Sequence, residues 1–105
     1  MKRIMEWAPF KLLPGVTEAD LLAASEKLQR EFIAKQPGFI SRTLVRAADG
    51  SYADVVWWQT AEAAAEVVHR AAESPTCAAY FSIMGADHAD PGAGVAHFDA
   101  IAEYS

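Results

Sequence analysis

A strand-like segment, Tyr52–Gln59, is largely apolar on both of its faces. Successive side chains of a strand point to opposite sides, so Val56 and Trp58 share one face while Val55 and Trp57 share the other. A sheet wetted on one face alternates apolar and polar residues, and this strand does not. Each large apolar side chain left in water forgoes about 1.5–3 kcal/mol. The segment therefore predicts a central strand that is covered on both sides.

Turn and capping residues divide the rest of the chain. Asp49-Gly50 is typical of a tight hairpin turn, Thr17 with Asp20 resembles a capping box, and Ser74-Pro75 is a helix-start signal. The predicted strands are 3–12, Phe39–Ala47, Tyr52–Gln59 and Val95–Tyr104. The predicted helices are a long one that begins at Thr17 and ends before Pro37-Gly38, one capped by Thr60, and a short one at Pro75–Met84.

The two long helices show a 3.6-residue apolar period. The first helix is predicted to bury Leu21, Ala24, Ser25, Leu28 and Phe32. The second helix is predicted to bury Ala61, Ala64, Ala65, Val68 and Ala72.

The resulting order, βαββαβ, predicts an α+β, ferredoxin-like fold with an antiparallel sheet. Right-handed crossovers place both helices on the same face of such a sheet, which leaves the other face uncovered. An identical chain is the nearest cover, so we predict a homodimer. The alternative is that the protein simply tolerates some surface tryptophan.

Composition limits the class of protein. The 105 residues fit a single domain, 1–105, and their formal net charge is −5 with Lys and Arg scattered along the chain. Nucleic acid is therefore not expected as a partner, and no apolar stretch has the length of a membrane span or the pattern of a signal peptide. The single cysteine, Cys77, excludes an internal disulfide and fits a cytoplasmic location.

Two residues are candidate catalytic groups. Asp54 lies on a strand with apolar neighbours, where burial raises a carboxyl pKa and suits it to act as a base. The alternative is an ion pair with Arg42 or Arg46 across the hairpin. His97 on the last strand is expected near Glu6 on the first, and such a pair can move protons near neutral pH; alternatively His97 is solvated or contacts a dimer partner.

Other titratable groups have plainer interpretations. His69 is a candidate ligand-binding residue or a surface partner of Glu62 and Glu66. Cys77 is either a thiolate near a helix start or a packed thiol. His88 with Asp87 or Asp90 makes too weak a set for a cation, so we predict no metal site.

Aromatic side chains suggest where a flat ligand would stack. We expect Trp58, Tyr80 and Phe81 to contribute to a substrate site beside Glu6, although the same rings can simply fill an interface. Trp57 and Trp58 must point to opposite faces, one toward a dimer partner and one toward a cavity. The sequence does not show which of the two tryptophans lines the cavity.

Three segments carry a family resemblance: Phe10–Val16, Gln36–Arg42 and Val55–Ala63. They resemble the dimeric α/β-barrel superfamily, and within it the small proteins of the antibiotic-biosynthesis monooxygenase type. The resemblance implies oxidation of polycyclic aromatic compounds without metal or flavin, in a pocket between the sheet and its own helices. The family pattern has Asn where this chain has Asp54, and Ala64 falls near the place of a family Tyr. The Asn and His used by haem-degrading relatives are missing from the corresponding segments, so no cofactor is expected.

Two functions remain open. The first is a cofactor-independent oxygenase acting on a small aromatic or polyketide-like compound, and the second is a non-catalytic homodimer that binds a small apolar metabolite. Both predict a cavity of at least ~300 Å³ between sheet and helices. A filled interior would instead indicate a plain dimerisation module.

Overall fold

An antiparallel sheet and three α-helices make up residues 2–85 and 94–105, which are the residues that the computed structural model describes. The strands are β1 (Ile4–Phe10), β2 (Phe39–Arg46), β3 (Tyr52–Trp58) and β4 (Ala96–Asp99). The helices are α1 (Glu18–Glu31), α2 (Ala61–Ala72) and α3 (Pro75–Phe81), with a 3₁₀ turn at Ile33–Lys35.

Local chemistry fixes most element boundaries. Thr17 and Asp20 form the predicted capping box, in which the Thr17 Oγ1 accepts from the amide of Asp20 at 3.1 Å and the Asp20 carboxylate accepts from the amide of Thr17 at 3.0 Å. The β2–β3 hairpin turns at Gly50, whose φ of +87° few other residues adopt. Thr60 and Ser74 cap α2 and α3 as predicted.

The strands lie in the order β2-β3-β1-β4, and every neighbouring pair is antiparallel. The helices pack on one face of the sheet, where Ile4, Val56 and Trp58 join Leu21 and Leu28 of α1 in the core. The α+β ferredoxin-like prediction is therefore confirmed.

The buried side of α2 differs from the prediction. Ala64 and Val67 are buried and Val68 is half-buried, whereas Ala61 and Ala65 are exposed. Ala72 is exposed as well. The helix is rotated relative to the expected stripe because apolar residues occur on nearly every side of it, so that their period alone does not define one face.

The last strand is shorter than the predicted Val95–Tyr104. β4 pairs with β1 from Ala96 to Asp99, and Asp99 lies opposite Ile4, where β1 begins. One further bond follows, from the amide of Ala100 to the carbonyl of Arg3. Without a longer partner the chain leaves the sheet, and Ile101 and Tyr104 are exposed.

A close approach between Gly38 and α2 fixes the start of that helix. Gly38 has a φ of +81°, and a Cβ there would lie 2.6 Å from the Cβ of Ala63. Its carbonyl accepts from the amide of Gln59 at 2.8 Å, just before α2. Glycine is thus required at this position for both backbone and space.

The face of the sheet away from the helices is apolar over β1, β3 and β4, whereas β2 contributes Ser41 and Thr43 to it. Trp57 points to this face together with Val55, Met5 and Trp7, as the strand register requires. Trp7 is 39% exposed and Phe98 of the neighbouring β4 is 50% exposed. Within the described residues, the helices are all too short or too polar to cross a membrane.

Candidate functional site

A cavity of about 90 Å³ lies between the sheet and its helices, partly open to solvent. Its walls are mostly apolar and include Leu28, Phe32, Val67, Val68, Ala71 and Phe81. Among the described residues, four polar side chains also line it, namely Glu6, Arg42, Asp54 and Tyr80. The cavity is where the sequence predicted it, but the predicted volume of at least ~300 Å³, which both ligand functions required, is wrong, because large side chains fill most of the space between sheet and helices.

Strand alternation brings the polar groups to this one face. Glu6 on β1 lies opposite Val56 on β3, and Ile4 lies opposite Trp58. Asp54, Val56 and Trp58 therefore point to the same side as Glu6. Trp58 is the cavity tryptophan and is fully buried, which answers the question that the sequence left open.

Asp54 forms a buried ion pair with Arg42. The Asp54 Oδ1 lies 2.9 Å from the NH2 and 3.0 Å from the Nε of Arg42. The Asp54 Oδ2 accepts a 2.7 Å hydrogen bond from the Tyr80 hydroxyl. Of the two alternatives for Asp54, the structure thus shows the ion pair, and its partner is Arg42.

Arg42 has a partner for each of its donor nitrogens. NH1 donates to the Ser25 carbonyl at 3.2 Å and to the Gln29 Oε1 at 3.5 Å. NH2 donates to the Ser25 Oγ at 2.9 Å and to the Tyr80 hydroxyl at 3.2 Å. A guanidinium has five N–H groups in a rigid fork, so this network uses all of them.

Burial controls the titration of this network. It raises the pKa of Asp54, while Arg42 and the Tyr80 hydrogen bond oppose that shift. Burial and the neighbouring Asp54 raise the pKa of Tyr80, so the phenol stays protonated and acts as a donor. With both oxygens of Asp54 engaged, its carboxylate has little freedom to accept a substrate proton.

Glu6 is a second carboxyl on the cavity and is held more loosely. Its Oε1 accepts from the Trp58 Nε1 at 3.3 Å and lies 3.4 Å from the His97 Nε2. The side chain is only 15% exposed. Burial raises the pKa of Glu6, and His97 and Trp58 partly oppose that shift. A buried carboxyl with a raised pKa is a stronger base than an ordinary glutamate.

His97 stands between Glu6 and solvent. It lies opposite Glu6 in the β1–β4 register, as the sequence predicted, and 36% of its side chain is exposed. Its outer side borders a groove of about 330 Å³ beside the first turns of α2. His97 is therefore both solvated and in contact with a cavity carboxyl, which combines the two interpretations that the sequence left open.

The helix α3 carries two aromatic side chains and a thiol that line the cavity. The Tyr80 and Phe81 rings are 6.2 Å apart, and both line the cavity as predicted. Cys77 is buried in the cavity wall, and burial raises the pKa of its thiol. The packed-thiol interpretation of Cys77 agrees with this placement.

His69 is on the exposed side of α2 and does not line the cavity. It points outward because the helix is rotated so that Val67 and Val68 face the sheet side. The prediction that His69 contributes to a substrate site with Glu6 thus has no geometric support. His88, Asp87 and Asp90 lie outside the described residues.

Sequence reasoning missed the part that α1 plays. Ser25 falls in the apolar stripe of α1, and both its hydroxyl and its carbonyl accept from Arg42. A polar residue within a buried stripe needs a partner, and this signal could have indicated that a polar group of the sheet faces Ser25. Gln29, one turn further along α1, gave no such signal.

Comparison with known proteins confirms the resemblance at the level of the fold. The cofactor-independent oxygenase SnoaB of Streptomyces nogalater is 19% identical, with a TM-score of 0.69 over 100% of this chain and 97% of its own. A Bordetella bronchiseptica protein provisionally named an antibiotic biosynthesis monooxygenase is 21% identical, with a TM-score of 0.72 over 93% of this chain and 96% of its own. Rv0793 of Mycobacterium tuberculosis is 17% identical, with a TM-score of 0.67 over 98% and 99%. No protein-family profile and no curated protein sequence matches the chain.

Proposed function

We propose that this chain is a homodimeric, cofactor-independent enzyme that oxidises a small hydroxylated aromatic compound with O₂, and that Glu6 is its base. The observation that supports this proposal best is the setting of Glu6, a buried carboxyl on an apolar cavity with a raised pKa. SnoaB, which shares the fold, is a cofactor-independent oxygenase. A site of this kind needs a base and an apolar wall, and Glu6 and the apolar side chains that line the cavity would supply them.

In the proposed reaction Glu6 removes the hydroxyl proton of a bound phenol. The phenolate gives its ring carbon carbanion character, and that carbon transfers an electron to O₂ and then forms a C–O bond to it. Protonation gives a ring hydroperoxide, which loses its ring hydrogen and breaks the O–O bond. One phenol and one O₂ become one quinone and one water, so that no other oxidant or reductant is consumed.

His97 would return the proton to solvent. It contacts Glu6 on one side and is exposed on the other, and an imidazole ring has one nitrogen that can accept a proton and one that can donate it. Asp54 would then act through position: it holds Arg42 and Tyr80 in the cavity wall and does not itself take the proton.

The volume of the cavity limits the substrate. At about 90 Å³ it is well below the ~300 Å³ of typical ligand sites. A polycyclic compound does not fit, whereas a single ring that stays partly in solvent makes the smallest demand. Of the two substrate classes that the sequence suggested, we therefore favour the small aromatic compound.

The homodimer is supported by the apolar face that carries Trp7, Trp57 and Phe98. Exposed apolar patches of this kind are typical of interfaces. The cytoplasmic location remains part of the proposal and is based on the single thiol of Cys77.

A non-catalytic binding protein is the second candidate. One observation favours it: the Arg42–Asp54–Tyr80 network is fully paired, as in a structural core, and most of the cavity wall is apolar. Such a protein would bind a small ring without consuming O₂.

Oxygen uptake with a panel of single-ring phenols and quinols tests the proposal. We expect uptake above the protein-free rate, and we expect Glu6→Gln to lower it by roughly 10²-fold or more, the usual contribution of a general base. Glu62→Gln, the same change on the exposed side of α2, should leave the rate unchanged. Equal rates for Glu6→Gln and wild type would overturn the role of Glu6, and binding without uptake would favour the second candidate.

A further inference from the structure

The donors on the cavity wall are already in use. Arg42 directs its N–H groups to Asp54, Ser25, Gln29 and Tyr80. The Tyr80 hydroxyl donates to Asp54 at 2.7 Å. An anion that entered the cavity would therefore find no free guanidinium or phenol donor among these groups.

The remaining indole donor is also engaged, because the Trp58 Nε1 donates to Glu6. The Cys77 thiol is buried in the same wall, but a thiol is only a weak donor. The described part of the wall thus offers an incoming ligand no strong side-chain donor.

One carboxylate oxygen on the described part of the wall has no hydrogen-bond partner. Both contacts of the Glu6 carboxyl, with Trp58 and with His97, involve Oε1. Within residues 2–85 and 94–105, Oε2 of Glu6 has no hydrogen-bond partner, and since no buried side-chain oxygen there lacks a partner, Oε2 is accessible to solvent. A carboxylate oxygen has two lone pairs to offer. A ligand that donates a hydrogen bond can pair with it.

The charge of the wall also favours a ligand that carries no negative charge. Arg42 and Asp54 neutralise one another at 2.9 Å, which leaves Glu6 as the remaining charged group that lines the cavity among the described residues. In a setting of low dielectric a second negative charge close to Glu6 is strongly unfavourable.

We infer that the cavity selects uncharged single-ring compounds that donate a hydrogen bond, such as phenols, and excludes aromatic carboxylates. The inference depends on the proposed function only for the choice of this cavity as the ligand site. Selection would come from Glu6 alone, so that the residue proposed as base is also the residue that sets specificity.

Three single-ring probes that differ in charge and in hydrogen-bond donation test the inference: phenol, anisole and benzoate. Binding is measured by calorimetry or ligand-observed NMR at roughly pH 8, where phenol is neutral and benzoate is charged. We expect phenol to bind at least about tenfold more tightly than anisole, the effect of one hydrogen bond to a charged group, and benzoate not to bind detectably.

Glu6→Gln and Glu62→Gln form the matched pair of variants. The side-chain amide that Glu6→Gln introduces carries no charge and can donate as well as accept, so we expect the preference for phenol over anisole to shrink and benzoate to bind. Glu62→Gln should keep the wild-type order. Proton NMR spectra of each variant confirm that it is folded.

The inference is overturned if benzoate binds wild type as tightly as phenol, if anisole equals phenol, or if none of the three binds. The oxygen-uptake assay is separate from these results. Selective binding of phenol without oxygen uptake supports the inference and removes the enzyme proposal. Oxygen uptake with no preference among the probes supports the enzyme proposal and overturns the inference.

Discussion

Arg42 and Asp54 form an ion pair of 2.9 Å inside the protein, with only 6% and 10% of their side chains exposed. The pair joins β2 to β3, and through Ser25 and Tyr80 it also joins the sheet to α1 and α3. The carboxylate of Asp54, which the sequence suggested as a base, is therefore held in an ion pair. Glu6 is the less constrained acid on the cavity.

Removal of one member of the Arg42–Asp54 ion pair should strongly lower the stability of the folded protein. Arg42→Met leaves the Asp54 carboxylate buried without its cation, and we expect a loss of about 3–5 kcal/mol in the free energy of unfolding, measured with urea. The double variant Arg42→Met/Asp54→Leu leaves neither charge and should recover at least half of that loss. A loss below about 1 kcal/mol for Arg42→Met would mean that the pair is not buried in solution.

Gly38 should tolerate substitution less well than Gly50. Both have a positive φ, but a Cβ at Gly38 would lie 2.6 Å from Ala63 whereas a Cβ at Gly50 meets nothing within 4 Å. We expect Gly50→Ala to cost about 1–2 kcal/mol for the backbone alone, and Gly38→Ala to cost about 1–3 kcal/mol more for the overlap. Equal losses in thermal unfolding would show that α2 can move away from Gly38 freely.

The stability of the protein should depend on pH through Glu6. Its pKa is raised in the folded state above the ordinary 4.5, so its contribution to stability is fully present below the unfolded pKa and is lost as pH rises through the folded pKa. Glu6→Gln lacks this titration. The stability of Glu6→Gln relative to wild type should therefore increase as pH rises from about 4.5, by about 1.4 kcal/mol for each unit of difference in pKa. A constant difference across urea titrations at several pH values would contradict this prediction.

The uncovered face of the sheet should mediate dimerisation. Trp7→Arg places a charge on that face and is expected to give a monomer in sedimentation experiments, since burial of an unpaired charge opposes association. Leu22→Arg is the control, because Leu22 is an exposed apolar residue on α1, on the other side of the molecule. A wild-type monomer, or a Trp7→Arg dimer of unchanged affinity, would show that this face is not the interface.

The parts of the fold that depend on neighbouring residues were predictable from the sequence. Thr17 with Asp20, and Asp49 with Gly50, specify their structures through local hydrogen bonds and backbone preference. The phase of α2 was not predictable in this way. Alanine and valine occupy nearly every side of that helix, so its apolar period does not define one face; in the rotation that is observed, Ala63 lies against Gly38.

The site was predictable only in part. The pairing of Glu6 with His97 follows from strand order and alternation, which the sequence supplies. The sequence does not show that Asp54 pairs with Arg42 and not with Arg46. Arg46 is instead bound at 2.6 Å by Glu18 of α1, a residue far away in the sequence. The size of the cavity depends likewise on how large side chains from separate elements pack together, and no sequence pattern encodes that volume.

Titration of the Glu6 carboxyl is the sharpest test of its proposed role as a buried base on the cavity. In a protein with ¹³C-labelled glutamate, the carboxyl resonance that is lost in Glu6→Gln is followed against pH. We predict a midpoint above 4.5, and a further increase in His97→Asn because His97 lowers the pKa of Glu6. A midpoint at or below 4.5 would contradict the account.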